Sequence, residues 1–96
     1  MVIQDARWYL GLKGILLPGK GIGIEEVDAG SPAQLAGLAP GMVITHCNGR
    51  ELLAEADFPS AIEQSGGLLQ LTVLANANAQ PAVVTIAMQR LVTTRY

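Results

Sequence analysis

Turn-forming residues divide this chain into short segments, and that division constrains its fold more than any other feature. Glycine and proline punctuate the sequence at residues 18–21, 28–30, 40–41, 48–49 and 66–67. Such clusters mark turns because glycine tolerates positive φ and proline fixes φ. Short segments with hairpin-like links favour an antiparallel, partly closed sheet. A doubly wound parallel sheet would contradict this expectation.

The chain is long enough for one core only. At 96 residues, a division into two domains would leave pieces too small to be stable, so we expect a single domain over 1–96, with an ordered part over about 8–91. Only 15% of the residues are charged, against about 25% in an ordinary domain. Two interpretations stay open: an apolar groove or docking face, or simply a neutral surface rich in alanine and glycine.

Charge and composition exclude several classes of function. The net charge is −2 and the six basic residues are scattered, so no basic face for nucleic acid is expected. No apolar run approaches the roughly 18 residues that span a bilayer, and we expect no direct membrane insertion. Asp5 and Arg7 interrupt the start, unlike a signal peptide. Cys47 is the only cysteine, so an internal disulfide is excluded and the compartment stays unknown.

The local patterns predict mainly strands and two helices. Ser31 and Asp57 are good N-caps, and Asn48 with Gly49 is a strong hairpin signal. We expect helices over 31–38 and 58–65, strands over 8–17, 22–27, 42–47, 50–53, 68–74 and 82–91, a loop over 75–81 and a frayed end over 93–96. The predicted core contains the inward-facing apolar residues of the strands, with one of two adjacent residues (Val43 and Ile44) pointing elsewhere: Ile24, Val43, Ile44, Leu71, Val73 and Val84.

Two motifs that suggest other chemistry have simpler interpretations. Gly14, Gly19 and Lys20 match the G-x-x-x-x-G-K spacing of a phosphate-binding loop, but Gly21 stands where that motif needs Ser or Thr. A turn explains these residues better. His46 and Cys47 are adjacent in a predicted strand, so their side chains face opposite sides and cannot form a catalytic pair. We therefore expect no catalytic residues, no metal ligands and no cofactor.

A long-range combination of segments resembles the PDZ family. It consists of Tyr9-Leu10-Gly11-Leu12, the Gly-Ser-Pro-Ala run of 30–33, the Ala-Gly-Leu-Ala-Pro-Gly-Met-Val-Ile run of 36–44, and the Asn-Gly turn. The resemblance extends from Tyr9 to about Leu91. Within the PDZ family, the sequence is similar to bacterial HtrA-type, protease-associated domains. It implies a mixed α+β fold that is mainly β, a half-open antiparallel barrel or sandwich with two helices. It also implies a non-catalytic domain cut from a larger protease.

The resemblance also assigns a binding site. Tyr9, Leu10, Gly11 and Leu12 match the loop whose backbone N–H groups hold a peptide's terminal carboxylate. Residues 11–16, with Lys13, Gly14 and Ile15, match the strand to which the peptide adds. Phe58, Ile62 and Ser65 match the groove side of the second helix. A core role is the alternative for each of these site residues, and for Leu12 and Ile62 both roles can hold at once. We expect Leu10, Leu12 and Ile62 to line an apolar pocket.

The function implied is the binding of C-terminal or extended peptides by strand addition. Its role is expected to be substrate capture or regulation for a linked serine protease, with a periplasmic or cell-envelope location by family analogy only. Phe58 stands where many PDZ domains have a histidine, so we expect an apolar ligand residue two positions before the C-terminus. One alternative is a structural or docking domain whose groove is vestigial or internally occupied. Another is a domain of a different membrane-associated protease or a secretion component.

Overall fold

A computed structural model describes residues 3–76 and 78–95, with side chains described over 8–76 and 78–88. Eight strands and two helices make up this part of the chain. Their order is β1 (Ile3–Tyr9), β2 (Leu12–Leu17), β3 (Gly21–Val27), α1 (Pro32–Leu35), β4 (Val43–Cys47), β5 (Arg50–Glu51), α2 (Asp57–Gln64), β6 (Leu68–Leu74), β7 (Ala82–Ala87) and β8 (Gln89–Arg95).

The strands form two antiparallel sheets. The larger sheet has the order β2-β3-β4-β6-β7, and β5 pairs with β4 beside this path. The smaller sheet is a ribbon of β1 and β8, in register from Ile3 opposite Arg95 to Tyr9 opposite Gln89. The mainly β fold class with two helices is confirmed. In the larger sheet, β2 stands at one edge and β7 at the other.

Local chemistry explains the turns and the first helix. Asn48 and Gly49 both have positive φ, 52° and 81°, as a two-residue hairpin turn requires. The Lys20 N–H donates to the Leu17 carbonyl at 2.9 Å and closes the turn between β2 and β3. This confirms the turn interpretation of the G-x-x-x-x-G-K spacing. The Ser31 hydroxyl accepts from the Gln34 N–H at 3.2 Å and caps α1, with Pro32 in its first turn.

The core lies between the larger sheet and the two helices. Of the six predicted core residues, Ile24, Ile44, Leu71 and Val73 are buried, and Val84 is half-buried against them. Val43 is only half-buried, in agreement with the expectation that one of the adjacent pair points elsewhere. The remaining buried apolar residues lie on strands of the larger sheet, on both helices and in connecting segments: Leu10, Ile22, Ala33, Leu38, Cys47, Leu52, Phe58, Ala61, Leu69, Ile86 and Met88.

Several expected boundaries are wrong. The segment 82–91 is not one strand, since β7 ends at Ala87 and β8 begins at Gln89, and the strand expected over 50–53 ends at Glu51. The segment 8–17 is two strands, because the chain turns at Gly11, where φ is +89°. Residues 93–95 belong to β8, since Thr93 pairs with Asp5. Helix α1 stops at Leu35 because Gly37, with φ at +89°, ends it. Asp57 is the first residue of α2 and not its cap; Ala56 occupies the cap position without a side-chain hydrogen bond.

Candidate functional site

A cleft of about 800 Å³ runs between β2 and α2. Residues from the end of β1, from β2 and β3, and from α2 and the turn before it form its walls. The lining residues are Trp8, Tyr9, Leu10, Gly11, Leu12, Gly14, Leu16, Ile22, Asp28, Glu55, Phe58, Pro59, Ile62 and Glu63. The cleft thus joins the predicted loop, the predicted strand and the predicted helix in one site.

The floor of the cleft is apolar. Leu10 and Phe58 are 5% and 7% exposed and belong to the core, while Leu12 and Ile62 are half-buried against it. Phe58 and Ile62 are four residues apart, so they share one face of α2. The predicted pocket of Leu10, Leu12 and Ile62 therefore consists of residues that all line the cleft. Their partial burial supports the interpretation that Leu12 and Ile62 serve both the core and the cleft.

Strand β2 offers a free backbone edge to the cleft. It pairs with β3 on one side and with no other strand among the described residues. Leu12, Gly14 and Leu16 line the cleft, as alternation along a strand predicts. At Gly14 an added Cβ would collide with the Cγ2 of Ile22, so glycine keeps this stretch of the edge close to the core. An unpaired edge of this kind is a template for another strand.

The amide loop consists of Leu10, Gly11 and Leu12. The carbonyl groups of Leu10 and Gly11 accept hydrogen bonds from other parts of the domain. The Ala33 N–H donates to the Leu10 carbonyl at 3.0 Å, and the Asp28 N–H donates to the Gly11 carbonyl at 2.7 Å. In a trans peptide the N–H points opposite to the carbonyl. The N–H groups of Gly11 and Leu12 are therefore directed away from α1 and β3. Within the described residues, the Leu10 and Gly11 N–H groups donate to no partner.

Glycine is required at position 11 for two reasons. Its φ of +89° is unfavourable for any residue with a Cβ. A Cβ placed there would also collide with the Cβ of Ser31 and approach the Tyr9 hydroxyl at 3.1 Å. Ser31 is 2% exposed, and its hydroxyl donates to the Asp28 carbonyl at 2.8 Å. The amide loop thus packs directly on the cap of α1.

Acidic side chains surround the cleft. Tyr9 donates from its hydroxyl to the Asp28 carboxylate at 2.6 Å, and this hydrogen bond raises the pKa of Tyr9, with smaller contributions from burial and from the Asp28 charge. Glu55 and Glu63 are exposed on the α2 side. Pro59 and Glu63 are four residues apart on α2, and Glu55 lies in the turn before it. No Lys or Arg with a described side chain lines the cleft.

Most of the predicted site residues line the cleft, and three do not. Lys13 and Ile15 are exposed on β2 and alternate with the lining residues; only their backbone would contact an added strand. Ser65, predicted on the groove side of the second helix, is not among the residues that line the cleft. Its hydroxyl donates to the Ile62 carbonyl at 2.6 Å and accepts from the Gly67 N–H at 3.2 Å, so it ends α2 instead.

Sequence reasoning missed six of the fourteen lining residues. Trp8 packs on Gly67, where an added Cβ would meet the indole ring, and long-range packing of this kind leaves no local signal. Pro59 and Glu63 could have been found, because they are four residues apart in the predicted helix. Glu55 precedes that helix, so the spacing carries no signal for it. The other two missed residues are Ile22, at the start of the strand expected over 22–27, and Asp28, directly after that strand.

The remaining polar residues form no second site among the described positions. Cys47 is fully buried, and burial raises the pKa of its thiol. The His46 ring lies on the other side of β4, with Nδ1 2.9 Å from the Thr45 hydroxyl. Over the described residues, no group of three or more His, Cys, Asp or Glu side chains could hold a metal ion. None of the helices described is long and apolar enough to cross a membrane.

The fold is that of solved PDZ domains. The HtrA3 PDZ domain, solved with a phage-derived ligand (FGRWV), is 22% identical with a TM-score of 0.82, over 93% of this chain and 91% of that one. The PDZ domain of a carboxy-terminal protease from Vibrio cholerae, in complex with peptide, is 23% identical with a TM-score of 0.71, over 91% and 98%. The HtrA-type protease AlgW with decapeptide is 22% identical with a TM-score of 0.68; the match covers 90% of this chain and 30% of AlgW.

These similarities define the fold. The chain has the PDZ fold, and the predicted resemblance to PDZ domains of HtrA-type proteases is confirmed at the level of structure. No protein-family model matches the sequence, and a search of the curated proteins finds no match. The identities of 22–23% lie at a level where folds persist while sequences diverge.

Proposed function

We propose that this chain is a non-catalytic module that binds extended peptides, and protein C-termini above all, in the cleft between β2 and α2. The amide loop carries the proposal. Its Leu10 and Gly11 carbonyls accept hydrogen bonds from the Ala33 and Asp28 N–H groups, and its own N–H groups lie at the start of an unpaired edge strand. Adjacent backbone N–H groups form a concave site for an anion. The peptide would run antiparallel to β2 as an added strand, with its carboxylate on the amides of Leu10, Gly11 and Leu12.

The energetics favour a free carboxylate with an apolar last residue. Each N–H bond to a charged oxygen contributes roughly 1.5–3 kcal/mol. A side chain buried in the pocket of Leu10, Leu12 and Ile62 contributes about 1.5–3 kcal/mol. The loss of chain freedom offsets much of this, so we expect affinity around micromolar, or roughly −8 kcal/mol. The peptide complexes of the HtrA3 and Vibrio cholerae PDZ domains support this mode of binding.

The test is a titration of a free-acid peptide and of its C-terminal amide. We expect amidation to weaken binding by at least about tenfold, which corresponds to about 1.4 kcal/mol, with amide chemical-shift changes over residues 10–15. Ile62→Asp should abolish binding by placing a charge in the apolar pocket, while Leu53→Asp, at an exposed position outside the cleft, should not. In the peptide, replacement of Ser by Val two positions before the C-terminus should strengthen binding, since Phe58 offers no hydrogen-bonding group there.

Equal affinities for acid and amide, or shifts away from β2, would favour the other function: a structural or docking domain whose groove is vestigial or filled by its own chain. By analogy with HtrA-type proteins, we propose substrate capture or control of a protease domain in the same parent chain. A different membrane-associated protease or a secretion component is the alternative parent. Sequence flanking the domain decides between these parents.

A further inference from the structure

The described cleft is acidic, and nothing described in it neutralises that charge. Asp28, Glu55 and Glu63 line it. Arg50 is already paired with Asp57 at 3.2 Å, the one ion pair among the described residues. Lys13 is exposed on β2 outside the lining, and Lys20 lies in the turn beyond Leu17. A bound peptide adds its own carboxylate, so a positive charge on the peptide improves the electrostatic match.

The orientation of α2 sets which part of a peptide each glutamate can reach. Gly67, just after α2, packs against Trp8, which lies just before the amide loop. The C-terminal end of α2 therefore lies beside the amide loop, and Glu55 lies at the far end of the cleft. Ile62 and Phe58 are about 6 Å apart along the helix axis, or about two residues of an extended strand. Ile62 thus faces the last peptide residue, and Phe58 faces the one two positions earlier.

The turn before α2 places Glu55 near a particular peptide position. The Asp57 N–H donates to the Ala54 carbonyl at 3.1 Å, so Glu55 lies in a tight turn three residues before Phe58. Glu55 is therefore farther from the amide loop than Phe58, and it faces the peptide residue that precedes the one opposite Phe58. Side chains of a strand alternate, so a residue three positions before the C-terminus points away from the floor and toward the rim. Glu55 is exposed at that rim and forms no ion pair with a described residue.

We propose that the groove selects peptides with Lys or Arg three positions before the C-terminus, and that Glu55 is the residue that determines this specificity. The inference rests on the proposed function and extends it to the class of ligand. A long cationic side chain keeps its charge in water at the rim while it pairs with the carboxylate. Glu63 and Asp28 add to the negative potential along the rest of the cleft.

The experiment compares three peptides that end in the same apolar residue and carry Lys, Gln or Glu three positions earlier. For the wild-type chain we expect the order Lys, Gln, Glu, with about a threefold step between neighbours, as for an exposed ion pair. The steps should shrink at about 1 M NaCl, where the screening length falls to about 3 Å. In Glu55→Gln the order should flatten, and in Glu55→Lys it should reverse.

The matched control is Glu51→Gln, which removes the same charge from an exposed position in β5 outside the cleft; it should keep the wild-type order. Equal binding of the three peptides by wild type, with shifts at the amide loop, overturns this inference and leaves the proposed function standing. A preference for Lys that survives in Glu55→Gln also overturns it. Failure of all three peptides to bind overturns the proposed function itself.

Discussion

Gly11 shows how much of the site's geometry depends on a single position. The resemblance of the sequence to PDZ domains predicts this glycine in a carboxylate-binding loop. Its contacts could not be foreseen, because Asp28, Ser31 and Ala33 are about twenty residues away in sequence and meet the loop only through tertiary packing. The sequence predicts Ser31 as a helix cap, which it is, but its packing against Gly11 has no local signal.

We expect Gly11→Ala to weaken both folding and peptide binding. The positive φ costs an alanine about 1–2 kcal/mol, and the methyl group also collides with Ser31, so the free energy of unfolding should fall by about 2 kcal/mol or more. The control is Gly30→Ala, where φ is +72° but no atom lies within 4 Å of the added Cβ. Urea denaturation and peptide titration of both variants measure the difference, and equal losses would show that the Ser31 contact is unimportant.

Asp57 illustrates where prediction fails at the scale of an element. The apolar stripe of helix α2 predicts its extent to within one residue, but the assignment of Asp57 to its cap is wrong. In the structure its carboxylate instead accepts from the N–H groups of Leu53 and Ala54, both at 2.9 Å, and pairs with Arg50. A carboxylate can accept hydrogen bonds from N–H groups that precede it or from those that follow it in the chain, and the sequence does not distinguish the two. The result is a brace that fixes the segment between β5 and α2.

This brace predicts a pH dependence of stability. The N–H bonds from Leu53 and Ala54, and then the Arg50 charge, lower the pKa of Asp57 below its usual value of 3.8. Because the folded-state pKa is depressed, the stabilisation is fully present above pH 3.8 and is lost as the pH falls through the lower folded value. Asp57→Asn should therefore be less stable than wild type near neutral pH, with the gap closing in acid.

Denaturant midpoints between about pH 2 and pH 7 measure that gap. The control is Glu51→Gln, since the Glu51 carboxylate accepts no hydrogen bond from a described residue, and its difference from wild type should stay small throughout. A gap for Asp57→Asn that does not change with pH would mean that the brace acts through shape and not through charge.

At the scale of the whole molecule, the turn signals predict the order of strands and helices from β2 to β7. These turn signals do not predict the outer end of the ribbon that β1 and β8 form. Its first strand has the polar centre Gln4-Asp5-Ala6-Arg7, which lacks the apolar alternation that identifies strands. Its pairing also joins residues at opposite ends of the chain, and contacts of such sequence separation leave no local pattern. The principal extents of 53 × 26 × 19 Å show an elongated molecule.

The antiparallel register of this ribbon has a mechanical consequence. Ile3 lies opposite Arg95, and the ribbon reaches Tyr9 and Gln89 only at its inner end, beside the cleft. Tension applied through both outer ends would open the β1–β8 hydrogen bonds one after another, as in unzipping, because the load falls on one pair at a time. Attachment at Ile3→Cys and Arg95→Cys should therefore yield at lower force than attachment at Ile3→Cys and Gln89→Cys, which loads all pairs together in shear. Since the amide loop begins directly after Tyr9, the proposed binding site would be the last part of this end of the molecule to bear the applied force.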